Sequence, residues 1–267
     1  MTAAGGNRQF ALFDEPPRKP VRPSRLLRQN RQLKREGIWN WTLPALEAEL
    51  PSGRKVVTCP SAGTCADICY ARFGFYQFPG VRAAHVANLA FVVEDLPGWE
   101  AAMRAELGAR RFRGAWIRVH DSGDYFSDAY LAAWLRIMAA RPEVSFYAYT
   151  KEVARFRRLV EPDPPPNFLW CYSLGGKHDG SLDVATARVA DVFPTEEAIT
   201  ATADPVWHSQ AESDLLAVLG PSPVGMAANR IPAALRRLGD RRLSEMQQES
   251  DELRRQRRRI SRKGDMP

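Results

Sequence analysis

Residues 115–142, AWIRVHDSGDYFSDAYLAAWLRIMAARP, decide the fold class. The apolar run at 115–120 predicts a strand, and DSGD predicts a turn directly after it. Ser127 or Asp128 can cap the following helix, which Pro142 ends. A strand that leads through a turn into a helix is typical of parallel α/β sheets.

The same alternation continues on both sides of this unit. Strands are predicted at 54–58, 115–120, 144–149, 167–172, roughly 187–192 and 224–229. About six mostly parallel strands with intervening helices predict an α/β fold, an open or partial (β/α) barrel. We expect this domain to span 37–242, between a basic Pro-rich N-terminal arm at 1–36 and a basic C-terminal helix and tail at 243–267.

The positive charge is concentrated at the two ends of the chain. The 267 residues include 38 Lys and Arg against 31 Asp and Glu, a net charge of +7. Residues 1–36 carry +6 and residues 251–267 carry +4, so the middle is negative at −3. Such basic extensions are either solvated faces or contacts to the phosphate backbone of a nucleic acid.

Two kinds of segment are missing from the sequence. No apolar run approaches the ~18–20 residues of a membrane span, so we expect no membrane partner. The N-terminal stretch has no apolar core of a signal peptide, so we expect a cytoplasmic, reducing location. There, cysteines more often serve metal binding or catalysis than disulfides.

The stretch TCPSAGTCADICYAR at 58–72 carries the strongest chemical signal. It separates Cys59, Cys65 and Cys69 by five and three residues, so one loop can wrap three thiolates around one metal centre. An iron–sulfur cluster (4Fe-4S) is the favoured interpretation. Zinc with Cys171 as a distant fourth ligand is the alternative, and three buried thiols without a metal are the plain structural one.

Whether Cys171 is a ligand decides the mechanism. If only the three clustered cysteines bind a four-iron cluster, its fourth iron can take the amino and carboxylate groups of S-adenosylmethionine. If Cys171 closes the site, the cluster is structural, an electron carrier or a sensor.

The turn His120-Asp121-Ser122-Gly123-Asp124 is the second candidate site. Gly123 permits a sharp turn, and the two carboxylates can accept hydrogen bonds from an ammonium or a hydroxyl group. Asp124 is the better candidate for a cofactor amino group, and His120 for proton transfer. The alternative is an Asx-type turn in which Asp121 caps backbone amides.

Two further residues follow predicted strands. Lys151 comes after FYAYT and Asn229 after GMAA, at strand ends where loops of barrels carry ligand contacts. We therefore include Lys151, together with His120 and Asp121, among the candidate catalytic residues. Ser122, Gly123, Asp124 and Asn229 are the candidate cofactor-binding residues.

Several motifs together resemble the phage gene product 88 family, which occurs in actinobacteriophages and related mobile elements. They are WTLP at 41–44, CPSAGTCADICYARFGFYQFP, VRAAH, IRVHDSGDYFSDAYLAAW, FYAYTK, SLGG and VGMAANRIP. The resemblance covers roughly residues 38–245. It implies a phage or mobile-element protein and leaves the reaction open.

A more distant resemblance is to radical S-adenosylmethionine enzymes, whose core is a six-stranded partial barrel with three cysteines after the first strand. Cys59, Cys65 and Cys69 match that position, with a spacing that differs from the usual three-then-two pattern. Ser122–Asp124 falls where those enzymes carry a Gly-Gly-Glu-like turn. The resemblance implies a radical enzyme with an unknown substrate. The alternative function is a non-enzymatic nucleic-acid-binding or interaction protein, stabilised by zinc or by a closed iron–sulfur site.

Overall fold

A parallel sheet forms the centre of the computed structural model, which describes residues 22–203 and 205–264. The described residues contain nine strands: β1 Trp39–Trp41, β2 Glu47–Glu49, β3 Lys55–Val57, β4 Trp116–Val119, β5 Ser145–Thr150, β6 Phe168–Ser173, β7 Val189–Phe193, β8 His208–Ser209 and β9 Val224–Ala227. Seven of these form one sheet in the order β1-β4-β5-β6-β7-β9-β8. All of its neighbouring strands pair in parallel.

Helices connect the strands. The described residues form ten α-helices: α1 Arg31–Arg35, α2 Cys65–Ile68, α3 Pro79–Glu94, α4 Leu96–Leu107, α5 Asp128–Ala139, α6 Val153–Leu159, α7 Glu196–Thr200, α8 Leu216–Leu219, α9 Pro232–Leu238 and α10 Leu243–Gly264. Ser127 is the N-cap of α5, where its side chain accepts a hydrogen bond from the Tyr130 N–H. No helix in the described part of the chain is long and apolar enough to cross a membrane.

The two faces of the sheet are covered differently. On the first, which we call the helix face, strand residues pack against α3, α4, α5 and α6 in one large apolar core. Trp41, Trp99 and Trp134 lie at its centre with ring centroids 5.2–6.5 Å apart. The other face, the cavity face, has a smaller core that includes Leu33 of α1 and Val218 of α8. The rest of the cavity face is open to a cavity.

The sequence prediction of an α/β chain with a parallel sheet is confirmed, and five of the six predicted strands lie in that seven-stranded sheet. The barrel does not close, because β1 and β8 are the two edges of the sheet. The additional strands are β1 and β8, which are only three and two residues long. Such short strands have too few residues to show an alternating pattern.

One predicted sheet strand lies elsewhere. Residues 54–58 were expected to begin the parallel sheet, but β3 pairs antiparallel with β2 in a separate hairpin. The turn at 51–54 explains the difference, because Gly53 takes a positive φ of 79° and the Leu50 N–H bonds to the Arg54 carbonyl. The cysteine loop therefore follows a hairpin strand, and β1 takes the first place in the sheet.

The terminal extensions are described in part. Residues 1–21 of the predicted N-terminal arm lie outside the described residues, and 22–36 contain the short helix α1. At the other end, α10 begins at Leu243, and its residues from Glu252 to Ser261 are exposed.

Candidate functional site

A cavity of about 1280 Å³ lies at the carboxyl ends of the sheet strands. Its wall includes residues that end or follow five different strands, namely Thr42 after β1, Asp121 to Asp124 after β4, Thr150 and Lys151 at β5, Ser173 at β6 and Asn229 after β9. This is the edge of a parallel α/β sheet where ligands usually bind. Pockets for small molecules typically measure roughly 300–1,000 Å³, so this one is large enough for a small-molecule ligand.

The three clustered cysteines all line this cavity. Their loop is attached to the loop after β6, because the N–H groups of Gly63 and Cys65 both donate to the Gly175 carbonyl, at 3.2 and 3.1 Å. Gly63 is required here, since a Cβ atom would come within 2.8 Å of the Gly175 oxygen. On the other side, Cys59 Sγ accepts a hydrogen bond from the Leu46 N–H at 3.3 Å.

The cavity thiols are held in their neutral form. Burial raises the pKa of Cys59 to about 12, and the Asp124 carboxylate adds to the shift. Burial also raises the pKa of Cys65 and Cys69, although the Lys151 ammonium opposes the shift at Cys65. A nucleophilic cysteine needs a depressed pKa, so these thiols are poor free nucleophiles.

Cys171 has a different environment. It is fully buried on β6, in the apolar core that also contains Tyr147 and Ala190, and it is not part of the cavity wall. Burial raises its pKa to about 12. Its role as a fourth ligand stays a prediction. Among the described residues, no three His, Cys, Asp or Glu side chains converge closely enough to hold one metal ion.

Asp124 links the turn after β4 to its neighbours. Its carboxylate accepts hydrogen bonds from Thr150 Oγ1 at 2.7 Å and from the backbone N–H groups of Lys151 and Tyr125, at 2.9 and 2.8 Å. Burial, followed by the Glu152 charge, raises the pKa of Asp124 to about 6. The backbone N–H of Asp124 donates to Thr58, next to the cysteine loop. Asp124 thus positions the cavity wall.

The rest of the turn is tightly packed. Gly123 has a positive φ of 81°, and a Cβ atom there would lie 2.7 Å from the Leu43 side chain. Ser122 Oγ donates to the Leu43 carbonyl at 2.5 Å. Both residues line the cavity and contact Leu43, which follows β1.

Asp121 is the carboxylate of the turn that faces other cavity side chains. One of its oxygens accepts hydrogen bonds from the Tyr76 hydroxyl at 2.6 Å and the Asn30 amide at 3.2 Å. Tyr70, next to Cys69, donates to the Asp121 carbonyl. Asp121 is therefore tied to the segment that follows the cysteines.

His120 lies on the helix face. It is 3% exposed and does not belong to the cavity wall. Its Nε2 atom is 2.8 Å from the Tyr130 hydroxyl, and its ring packs edge-on against Tyr125. Burial lowers its pKa to about 3, so the imidazole is neutral at pH 7. Its φ of 71° directs the chain into the turn. The proton-transfer role assigned from the sequence stays a prediction.

Lys151 and Asn229 both line the cavity. The Lys151 ammonium donates to Ser173 Oγ at 2.7 Å and to the carbonyls of Ser173 and Leu174 at 2.9 and 2.8 Å. All three of its donors are therefore used within the protein. No hydrogen bond of the Asn229 side chain to another described residue is present, which leaves its amide available to a ligand.

Sequence reasoning missed the charged centre of the cavity face. Arg118, in the middle of β4, donates from Nη1 to both oxygens of Asp214 at 3.0 and 3.2 Å, and lies 3.7 Å from Asp121. Burial lowers the pKa of the Arg118 guanidinium, but the nearby carboxylates of Asp214 and Asp121 have the larger combined effect, so the pKa is raised. The Tyr149 ring lies 4.9 Å from the guanidinium carbon. The available signal was a single Arg within the apolar strand AWIRVH.

Comparison with known proteins identifies relatives among phages. The model of the family "Gene product 88" matches residues 24–263. Gene 88 protein of Mycobacterium phage L5 is 33% identical over 120 residues, which cover 38% of this chain and 46% of that protein. Gene 88 protein of Mycobacterium phage D29 is 31% identical over 120 residues, covering 38% and 45%. The chain thus spans less than half the length of these two relatives, and no solved structure matches it.

Proposed function

The chain belongs to the gene product 88 family, and we propose that its cavity is the active site of an iron–sulfur enzyme similar to radical S-adenosylmethionine enzymes. The cluster, a 4Fe-4S centre, would be held by Cys59, Cys65 and Cys69. One observation carries the proposal. The three clustered cysteines line one large cavity at the carboxyl edge of the sheet, while Cys171 lies outside its wall.

The clustered cysteines supply thiolate donors, the ligand type that such a cluster uses. They would hold three irons and would leave the fourth for the cofactor, beside a cavity of about 1280 Å³. A reduced cluster of this kind supplies one electron for the reductive cleavage of bound S-adenosylmethionine to methionine and a carbon radical.

The surrounding residues would orient the cofactor and the substrate. The Ser122–Asp124 turn shapes the wall beside Cys59, because the Asp124 N–H is bonded to Thr58. The Oδ1 atom of Asp121 accepts no hydrogen bond from a described residue, although Arg118 lies 3.7 Å away, so it can accept one from an amino group, whereas both oxygens of Asp124 are used. Asn229 offers both a donor and an acceptor. Lys151 places a positive charge near Cys65.

The decisive experiment compares cysteine variants after purification without oxygen. We expect about four irons and four sulfides per chain, with a visible absorption that bleaches on reduction and an electron paramagnetic resonance signal that changes when S-adenosylmethionine is added. The triple variant Cys59→Ala, Cys65→Ala, Cys69→Ala should lose the iron. Cys171→Ala is the matched control and should keep it.

Two other results would contradict the proposal. One zinc per colourless chain would show a structural site. Loss of iron in Cys171→Ala, with the fold intact by circular dichroism, would show a closed cluster without an open iron. Either result favours the alternative, a metal-stabilised protein that binds nucleic acid without catalysis.

The alternative has an observation of its own in α10. Arg255, Arg257, Arg258 and Arg259 are exposed there and form no ion pair with a described acidic side chain, and Arg254 lies 3.7 Å from Asp251. Charge reversal of these five arginines should abolish retention on DNA and RNA if α10 carries the function. Unchanged retention would exclude α10 as the binding element.

A further inference from the structure

Two exposed phenylalanines lie at the mouth of the cavity. Phe75 is 77% exposed and lines the mouth, and Phe78 is 54% exposed with its ring centroid 5.3 Å from that of Phe75, in an edge-to-face arrangement. They follow the cysteine loop, between the 3₁₀ segment Gly74–Gln77 and the start of α3. An aromatic ring so exposed gains little from packing within the fold, which points to a partner.

Exposed basic side chains belong to the same region. Arg28 and Arg31 line the same cavity as Phe75. Arg28 is near enough to α3 to lower the pKa of His85, where burial is the larger cause. Arg82 is exposed and lies one helical turn after Phe78. The backbone N–H of Arg82 donates a hydrogen bond to the Phe78 carbonyl. We call these five residues, Arg28, Arg31, Phe75, Phe78 and Arg82, the rim.

The charge of the rim is uncompensated within the described part of the chain. None of its three arginines forms an ion pair there with an acidic side chain, and the first turn of α3 carries no acidic residue. The rim thus combines positive charge with flat aromatic surface. Proteins that bind single-stranded nucleic acid use this combination, in which arginines contact phosphates and aromatic rings stack on bases.

We propose that the rim binds single-stranded nucleic acid and presents one nucleotide to the cavity. A duplex fits less well, because its bases are paired and stacked and cannot lie on the phenylalanine rings. The inference deepens the proposed function by naming the substrate class of the same cavity. It rests on that function for the reaction, but the binding itself requires no cluster.

The test measures binding by fluorescence anisotropy with the full chain. The probes are labelled single strands of oligothymidine and oligouridine of about 20 nucleotides, longer than a typical site of roughly 4–16, and a DNA duplex of equal length. We expect both single strands to bind more tightly than the duplex. A preference for one of the two single strands would identify the substrate as DNA or RNA.

Two variants separate stacking from charge. Phe75→Ala with Phe78→Ala should weaken single-strand binding about tenfold or more, with an unchanged salt dependence, because stacking releases no counterions. Arg28→Gln with Arg31→Gln should also weaken binding and should reduce the slope of log K against log salt by about 1.4, or about 0.7 per lost phosphate contact.

The matched controls lie away from the cavity. Arg110→Gln with Arg113→Gln removes two exposed arginines that precede β4, on the side of the amino ends of the strands. Leu219→Ala removes an apolar side chain that is 57% exposed. Both controls should bind as the wild type does. All of these positions are exposed, so the melting temperatures should agree.

Each remaining outcome decides the inference. Equal affinity of the rim variants and the wild type would overturn it, as would a preference for the duplex or no binding by the wild type. Iron analysis of the same preparations keeps the two proposals apart. Binding that depends on the rim, in a protein without iron, would contradict the proposed enzyme and support nucleic-acid binding by the rim. Bound iron without such binding would support the proposed iron–sulfur site and contradict nucleic-acid binding by the rim.

Discussion

Adjacent residues of β5 have opposite environments on the two faces of the sheet. Phe146 and Ala148 lie on the helix face, in the large apolar core. Tyr147 and Tyr149 lie on the cavity face, where both hydroxyls approach the Asp214 carboxylate. The helix face is therefore stabilised by apolar burial, and the cavity face by polar groups that depend on one another. Mutations on the two faces should therefore destabilise the folded protein for different reasons.

The largest effect is expected on the helix face. Phe146 is fully buried, and its ring centroid lies 6.4 Å from that of Trp134. Phe146→Ala leaves a cavity in this core, so we expect a loss of about 4 kcal/mol in the free energy of unfolding. Urea denaturation followed by tryptophan fluorescence measures it.

The neighbouring residue on β5 provides the comparison. Tyr147→Phe keeps the ring and removes a hydroxyl that donates to Asp214 at 2.5 Å. The cost should be about 1–2 kcal/mol, because one buried acceptor loses a donor. If Tyr147→Phe destabilised the protein as much as Phe146→Ala, the distinction between the two faces would be wrong.

The second effect concerns the charged pair of the cavity face. The side chains of Arg118 and Asp214 are 17% and 4% exposed. Arg118→Met would leave Asp214 and Asp121 without their cation, so we expect a loss of about 3 kcal/mol. Urea denaturation again measures it.

A double-mutant cycle shows whether the charge is the cause. Arg118→Met combined with Asp214→Leu removes both charges, and the loss should be smaller than the sum of the two single losses. Additive losses would indicate that packing, and not the ion pair, dominates at this position.

The elements that were predictable from the sequence have local signals. β4 and α5 follow from the alternation at 115–120, the Ser127 cap and Pro142, which are all adjacent in the chain. Cys59, Cys65 and Cys69 share one short loop, but its place at the cavity depends on the hydrogen bonds of Gly63 and Cys65 to the distant Gly175.

The features that were missed depend on distant contacts. Arg118 finds Asp214 at a separation of 96 residues, which no local pattern reveals. Similarly, β1 joins the sheet through pairing with β4, although its three residues show no strand pattern. The orientation of His120 could likewise not be predicted from local sequence. Its position at a strand end was predictable, but the face to which its side chain points was not.

A smaller effect than those of Phe146→Ala and Arg118→Met is a pH dependence that distinguishes His120 from the cavity residues. Its pKa falls from the ordinary 6.5 to about 3 in the folded protein because of burial. Above pH 6.5 the imidazole is neutral in both states, and between pH 6.5 and 3 only the unfolded chain binds the proton. The contribution to stability is therefore lost as the pH falls, by about 2 kcal/mol at pH 5.

The variant His120→Asn isolates this contribution, since asparagine tolerates the positive φ of 71° at this position and does not titrate. Asp124, whose raised pKa of about 6 favours the folded state as the pH falls, is present in both proteins and cancels from the difference. Urea denaturation at pH 7.5 and pH 5 should show the variant gaining about 2 kcal/mol relative to the wild type at the lower pH. The same difference at both pH values would mean that burial does not lower the pKa of His120.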